Sequence, residues 1–231
     1  MFLYGFGPVL LAGTIQTIEL SVLSLAAAVL LGLAGAAAKL SFNRPLRAIA
    51  TGYTTLIRSV PDLVLMLLLF YSIQIAINNL TDAFGWDQFD IDPFTAGVLT
   101  LGFIYGAYFT ETFRGAFLAV PRGQLEAGSA YGMSGLRVFG RILFPQMMRF
   151  ALPGIGNVWQ LSLKDSALIS VTGLAELLRA SQIAASSTHQ YFLFFVVGGA
   201  LYLVMTGISN RVFNRAEAHV GKSFRRNFAR N

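Results

Sequence analysis

Long charge-free stretches dominate the chain and predict membrane-spanning helices. Four windows lack a charged side chain: residues 20–38, 63–81, 93–110 and 181–210. The first window extends back to about Pro8 with Glu19 as its one charge. Because a helix needs about 20 apolar residues to cross a hydrocarbon core of ~30 Å, each window predicts one transmembrane helix.

A fifth span is predicted between the third and fourth windows, at residues 150–170. Its charge-free part, residues 150–163, corresponds to only about 21 Å of helix, so the prediction extends it past Lys164 and Asp165. Charged residues inside or at the rim of a span usually face the protein interior or a wet cavity.

Composition supports an integral membrane protein with an all-α fold of about five transmembrane helices. The 231 residues are 55% hydrophobic and 12% charged, whereas soluble domains carry about a quarter charged residues. The chain has no cysteine and two histidines, His189 and His219. Disulfides, cysteine nucleophiles and Cys/His metal clusters are therefore excluded, and we predict no metal site and no catalytic residue.

The basic residues predict the orientation. Fifteen of the seventeen Lys and Arg side chains fall in segments on one side of the predicted spans, which the positive-inside rule assigns to the cytoplasm. The segment between the second and third spans instead carries four aspartates, at positions 82, 87, 90 and 92. We therefore expect a periplasmic N-terminus and a cytoplasmic C-terminus, with a basic tail at 211–231 that contacts anionic lipid.

About 35 residues between the third and fourth spans predict two short cytoplasmic helices. Pro121 starts the first, which covers residues 124–131 and breaks at Gly132. The second covers residues 134–144 and ends at Pro145. Periodicity alone leaves two interpretations open: a hairpin on the lipid surface, or a surface that contacts a partner protein.

Motifs in this region resemble the EAA loop of bacterial ABC importer permeases. They are VPRGQLEA (120–127), GMS (132–134), RILFPQ (141–146) and ALPGIGN (151–157). The resemblance continues in GYTTLIRSVPDLVLM (52–66), GFIYGAYFTETFRG (102–115) and LKDSAL (163–168). Covering roughly residues 14–211, it is most specific for the polar amino acid permeases that serve histidine, lysine, arginine and ornithine.

The resemblance implies a single permease domain, residues 1–231, with the type I importer fold in the bacterial inner membrane. Such a chain pairs with a second permease subunit and receives substrate from a periplasmic amino-acid-binding protein. Two cytoplasmic ATPase subunits hold the ATP and Mg, so this chain itself needs no cofactor and is not an enzyme. A nucleic-acid partner is not expected.

The resemblance also assigns the segment at 120–146 to ATPase coupling. The residues carried over are Gln124, Glu126, Ala127, Gly128, Gly132, Ile142 and Pro145. Two positions depart from the family pattern: Gly128 replaces the usual second alanine, and Phe144 replaces the usual leucine before the proline.

Other classes of function remain as alternatives. A membrane enzyme needs acid, base or nucleophile pairs, and the titratable residues here are scattered without such a pattern. A self-contained channel or secondary transporter often shows an inverted repeat, which fits poorly with five spans. The chain lacks the G-x-x-x-x-G-K-[ST] phosphate-binding motif. A permease for opines or for another polar amino acid is the nearer alternative.

A cationic substrate needs a compensating negative charge inside a low-dielectric membrane domain. We predict that the substrate path includes Glu19, Tyr105, Tyr108, Glu111 and Asp165. Two of these have simpler interpretations. Glu111 can pair with Arg114 at helical i,i+3 spacing, and Lys164 can neutralise Asp165.

Overall fold

The computed structural model describes residues 2–87 and 90–228, in which every regular element is helical. Nine α-helices follow in chain order: α1 Gly7–Leu40, α2 Arg44–Ser59, α3 Asp62–Ala83, α4 Pro93–Leu118, α5 Arg122–Ala130, α6 Gly135–Val138, α7 Phe144–Asp165, α8 Leu177–Thr188 and α9 Tyr191–Phe228. Within the described residues the all-α prediction is confirmed. The predicted tail at 211–231 continues α9, and its last three residues lie outside the described residues, as do Gln88 and Phe89 in the aspartate-rich loop.

Three of the described helices are long and apolar enough to cross a membrane by length and composition: α1, α3, and α9 as far as Val220. Helix α4 contains the whole of the third predicted window, residues 93–110. Helix α7 and the 3₁₀ helix Ser166–Thr172 together cover the span predicted at residues 150–170.

Contacts between the helices show the alternating directions of a multi-pass protein. The helices α1 and α4 are parallel, because Leu20 lies near Gly97 at one end and Lys39 pairs with Glu111 at the other. Parallel neighbours need an intervening return pass, and α3 supplies it.

The later helices alternate in the same way. The helix α7 is antiparallel to α4, since Gly154 of α7 lies near Thr112, and Tyr105 donates a hydrogen bond to Asp165. In turn α9 is antiparallel to α7, because Gln160 donates to Asn210 at 2.9 Å and the earlier residue Gly156 lies near the later residue Phe213.

Glycines bring α1 and α4 into very close contact. A Cβ atom on Gly32 would overlap the Cβ atom of Phe109, and one on Gly35 would overlap the hydroxyl of Thr110. Small residues permit such approach between membrane helices, where packing replaces the hydrophobic effect as the driving force. The α1–α4 seam thus forms the centre of the larger hydrophobic core.

The prediction that Pro145 ends the second cytoplasmic helix is wrong. A five-residue π-helical segment, Phe139–Leu143, links α6 to α7, and Pro145 lies in the first turn of α7. Proline has no N–H to donate, but the first turn of a helix needs no such donor. The π-turn shifts the preceding bond, so that Phe144 donates to the carbonyl of Phe139. The chain therefore runs on into α7.

Two predicted spans also have different bounds. The helix at 150–170 begins earlier and ends at Asp165, after which Ser166–Thr172 forms a 3₁₀ helix. The window 181–210 is not one helix, because His189 adopts a left-handed conformation (φ 56°) and separates α8 from α9. A charge-free window shows where the chain is apolar, but it does not show whether the backbone changes direction within that window.

The buried carboxylate of Glu176 fixes the start of α8. It accepts hydrogen bonds from the backbone N–H groups of Leu178 and Arg179, each at 2.8 Å. The hydroxyl of Tyr202 on α9 donates to it at 2.9 Å. These donors satisfy a charge that is otherwise costly to bury.

Helix α2 was not predicted from the hydrophobic windows. The windows predict no helix between the first and second spans, yet Asn43 caps a 16-residue helix by accepting a hydrogen bond from the Leu46 N–H. The Asn cap followed by Pro45 was the available signal.

The α1–α4 seam makes a direct prediction about stability. Gly32→Ala should destabilise the protein by about 1–3 kcal/mol, because the added methyl group requires the backbone of α1 or α4 to move. Gly199→Ala is the matched control, since a Cβ atom there has no neighbour within 4 Å. Thermal unfolding of the purified protein in detergent measures both. Equal midpoints for the two variants would contradict the close packing.

Candidate coupling surface and transport path

The segment at 120–146, here called the coupling hairpin after its predicted role, contains the predicted glycine break. Helix α5 ends at Ala130, and Gly132 adopts a left-handed conformation with φ +76°. The N–H of Met133 then bonds to the carbonyl of Gly128 at 3.1 Å. A residue with a side chain is strained at this φ, so glycine is the residue that this turn favours.

A groove of about 370 Å³ lies between α5 and the chain that follows it. Four predicted coupling residues line it: Gln124, Ala127, Gly128 and Ile142. Tyr131 and Arg141 also contribute. The other three predicted residues, Glu126, Gly132 and Pro145, lie outside the groove and are exposed.

The coupling hairpin exposes large apolar side chains away from the spanning helices. Tyr131 is 89% exposed and Leu136 is 83% exposed. Exposed apolar side chains of this size are typical of a contact with a partner protein or with lipid.

A second group of polar side chains meets where α3 begins and α7 ends. Tyr105 donates a hydrogen bond to Asp165, and its ring lies 5.5 Å from that of Tyr108. Asp62 lies beside Asp165 and Tyr108. The guanidinium of Arg58 lies over the Tyr108 ring, 5.5 Å from its centroid. We call these five residues the polar cluster.

The polar cluster has unused hydrogen-bonding capacity. One carboxylate oxygen of Asp62 is buried without a hydrogen-bond partner among the described residues. Buried polar atoms are nearly always paired, so an unpaired oxygen on one of two neighbouring carboxylates suits a ligand that donates hydrogen bonds.

Arg58 and Asp62 are absent from the path residues predicted from the sequence. The available signal was their shared position in the 52–66 motif, on either side of Pro61. Only the packing of α3 and α7 against α4 brings them to Tyr105, Tyr108 and Asp165.

Lys164 does not neutralise Asp165. Among the ion pairs of the described residues none joins them, and Lys164 is exposed. Consecutive helical residues point in different directions, which separates the two side chains.

Glu111 and Glu19 lie apart from the polar cluster. Glu111 pairs with Lys39 and, at 2.9 Å, with Arg114, so the simpler interpretation of an i,i+3 pair is confirmed. Its charge is already matched by two cations. Glu19 is exposed on the side of α1 opposite the buried residues Thr17 and Leu20.

Comparison with known proteins identifies the family. Residues 8–222 match the model of the binding-protein-dependent transport system inner membrane component family. This chain belongs to that family.

Relatives and a solved structure agree with this assignment. The permease is 60% identical over 210 residues to the histidine/lysine/arginine/ornithine transport system permease protein HisQ of Salmonella typhimurium, covering 91% of this chain and 92% of that one. It is 44% identical to the octopine transport system permease protein OccQ of Rhizobium radiobacter, over 97% of both chains. The crystal structure of an amino acid ABC transporter with histidines superposes with a TM-score of 0.76 at 34% identity, over 92% of this chain and 94% of that one. The predicted type I ABC importer permease fold is confirmed.

Gly128, one of the two departures from the family pattern, has a packing reason in this permease. A Cβ atom at Gly128 would lie 2.5 Å from the Cδ1 atom of Ile142. The glycine therefore lets the isoleucine pack directly on the α5 backbone, which closes one end of the groove.

A double-mutant cycle tests this contact. Gly128→Ala should destabilise the permease by about 1–3 kcal/mol, because overpacking outweighs the better helix propensity of alanine. Ile142→Val removes the offending Cδ1 atom, so the double variant should recover most of the loss. Thermal unfolding of the four proteins measures the coupling. Strictly additive effects would show that the two positions do not touch.

Proposed function

We propose that this chain is the permease subunit of an ATP-driven importer that moves basic amino acids from the periplasm to the cytoplasm. The family membership and the high identity to a permease named for histidine, lysine, arginine and ornithine support this substrate class. Within the chain, the proposal depends on one observation, the adjacent carboxylates of Asp62 and Asp165.

The polar cluster suits a cationic amino acid. A guanidinium, ammonium or imidazolium group donates hydrogen bonds and carries positive charge, which two carboxylates and an unpaired oxygen complement. Arg58, at the edge of the cluster, offers a positive group to a substrate carboxylate. Of the five predicted path residues, Tyr105, Tyr108 and Asp165 lie in this cluster, whereas Glu111 and Glu19 do not.

The energy for transport comes from partner subunits. We propose that one of two cytoplasmic ATPases, which hold ATP and Mg, binds the coupling hairpin of this chain at the groove beside Gly128 and Ile142. The apolar exposure of Tyr131 and Leu136 supports a protein contact rather than a solvated hairpin. A second permease subunit and a periplasmic binding protein complete the importer.

An opine permease is the second candidate function. The 44% identity to an octopine permease over 97% of both chains favours it as the alternative. Uptake measured with both substrate classes distinguishes the two.

Reconstituted complexes test the role of the carboxylates. Asp62→Asn and Asp165→Asn should each lower ATP-dependent uptake of arginine, lysine and histidine at least about tenfold, the effect of losing ~1.4 kcal/mol of interaction. ATPase stimulation by the loaded binding protein should persist, because the coupling hairpin is unchanged. Asp87→Asn, an exposed aspartate outside the cluster, is the control.

Two outcomes count against the proposal in different ways. Wild-type uptake by both variants would show that selectivity resides in the binding protein or the partner permease. Absence of basic amino acid uptake by the wild-type complex would overturn the substrate class itself.

Cysteine labelling tests the proposed orientation, since the chain has no cysteine of its own. A cysteine at Asp87 should react with an impermeant thiol reagent added to intact spheroplasts, and a cysteine at Ser134 should not. Both positions are exposed, so accessibility depends on the side of the membrane. The reverse labelling pattern would require the opposite topology.

A further inference from the structure

Helix α2 carries an apolar stripe that nothing else in the described chain covers. Its three large side chains recur at helical spacing, Leu46, Ile49 and Leu56, and the exposed Phe42 lies two residues before the helix begins. Ile49 is 71% exposed and Leu56 is 64% exposed. The neighbouring face, with Ala50, Thr54 and Ile57, is buried. The stripe is therefore a separate surface, distinct from the face that packs on the protein.

The polar side of α2 is basic. Arg44 and Arg47 are exposed and lie on the opposite side of the helix from the stripe. Residues 40–61 contain no Asp or Glu, so no acidic side chain within this segment offsets them. A helix with one apolar and one basic face is typical of elements that lie in the membrane interface.

Contacts with α4 place α2 at the inner border of the membrane. The Tyr53 hydroxyl donates to the carbonyl of Phe103, and a Cβ atom at Gly106 would lie 2.8 Å from that hydroxyl. Phe103 and Gly106 lie between the middle of the charge-free window 93–110 and Glu111, about 12 Å and 8 Å of helix before that charge. The apolar face of an interfacial helix is buried about 5–10 Å inside the boundary between headgroups and acyl chains, which is close to this level.

We propose that α2 binds anionic phospholipid of the cytoplasmic leaflet. The stripe inserts among the acyl chains, while Arg44 and Arg47 extend to the headgroup phosphates. Arg58 lies in the last turn of α2, and Asp62 begins the next helix. The lipid contact therefore also holds one side of the polar cluster in place. The proposal rests on the membrane orientation given above and is independent of the substrate.

Spin labels distinguish lipid from protein around α2. Single cysteines at Ile49, on the stripe, and at Thr51, on the opposite exposed face, are placed in the assembled complex with cysteine-free partner subunits. In vesicles of phosphatidylglycerol and phosphatidylcholine, the label at Ile49 should be relaxed by oxygen more than by a water-soluble nickel chelate. The label at Thr51 should show the opposite preference.

Two results would overturn the lipid contact. Equal, water-like accessibility at both sites would place α2 in the cytoplasm. A label at Ile49 that is immobile and inaccessible to both relaxants would show that another protein chain, such as the second permease subunit, covers the stripe.

A charge test uses a photoactivatable phosphatidylglycerol. Arg44→Gln and Arg47→Gln should each lower the cross-linking yield to α2 by about fivefold, as expected for loss of one basic residue near an anionic surface. Arg44→Lys and Arg47→Lys keep the charge and should cross-link nearly as well as the wild type. Yields that do not change in the glutamine variants would show that the arginines do not bind the lipid.

Discussion

The close parallel contact between α1 and α4 is the constraint on which the other helices depend. Gly32 and Gly35 let the two backbones approach, and the bilayer core offers no water to solvate badly packed polar groups. Since these neighbours run in the same direction, α3 must return between them. The seam ends in the Lys39–Glu111 ion pair, which keeps a carboxylate from being buried alone.

Around this seam the chain assembles a polar cluster from three distant segments. The α2–α3 turn brings Arg58 and Asp62, α4 brings the two tyrosines, and the end of α7 brings Asp165. Because α7 stops at Asp165 and continues as a 3₁₀ helix, the carboxylate lies at a helix end and can reach Tyr105.

On the side of the membrane that we propose to be cytoplasmic, two parts of the chain have different neighbours. The coupling hairpin presents a groove and exposed apolar residues to a protein, whereas α2 presents an apolar stripe between basic residues to lipid, as we propose. Ile142 packs directly on the backbone of Gly128. The π-helical segment joins the hairpin to α7 without an intervening loop.

The sequence by itself determined the class of the protein, the positions of its apolar segments and the glycine turn at Gly132. These are local properties, since charge-free length, capping residues and glycine conformation act within a few residues. The motifs shared with the family determined the permease assignment and the choice of residues in the coupling hairpin, four of which line the groove.

Tertiary structure alone decided which charges are paired and which meet. Glu111, Asp165 and Asp62 look alike in the sequence as carboxylates near span ends. Lys39, 72 positions away, neutralises the first, while the second and third lie beside each other against the tyrosines of α4. The reversal at His189 and the π-turn before Pro145 were likewise invisible, because each depends on how the chain packs against distant helices. Electrostatic energy depends on distance in space, and only the fold sets that distance.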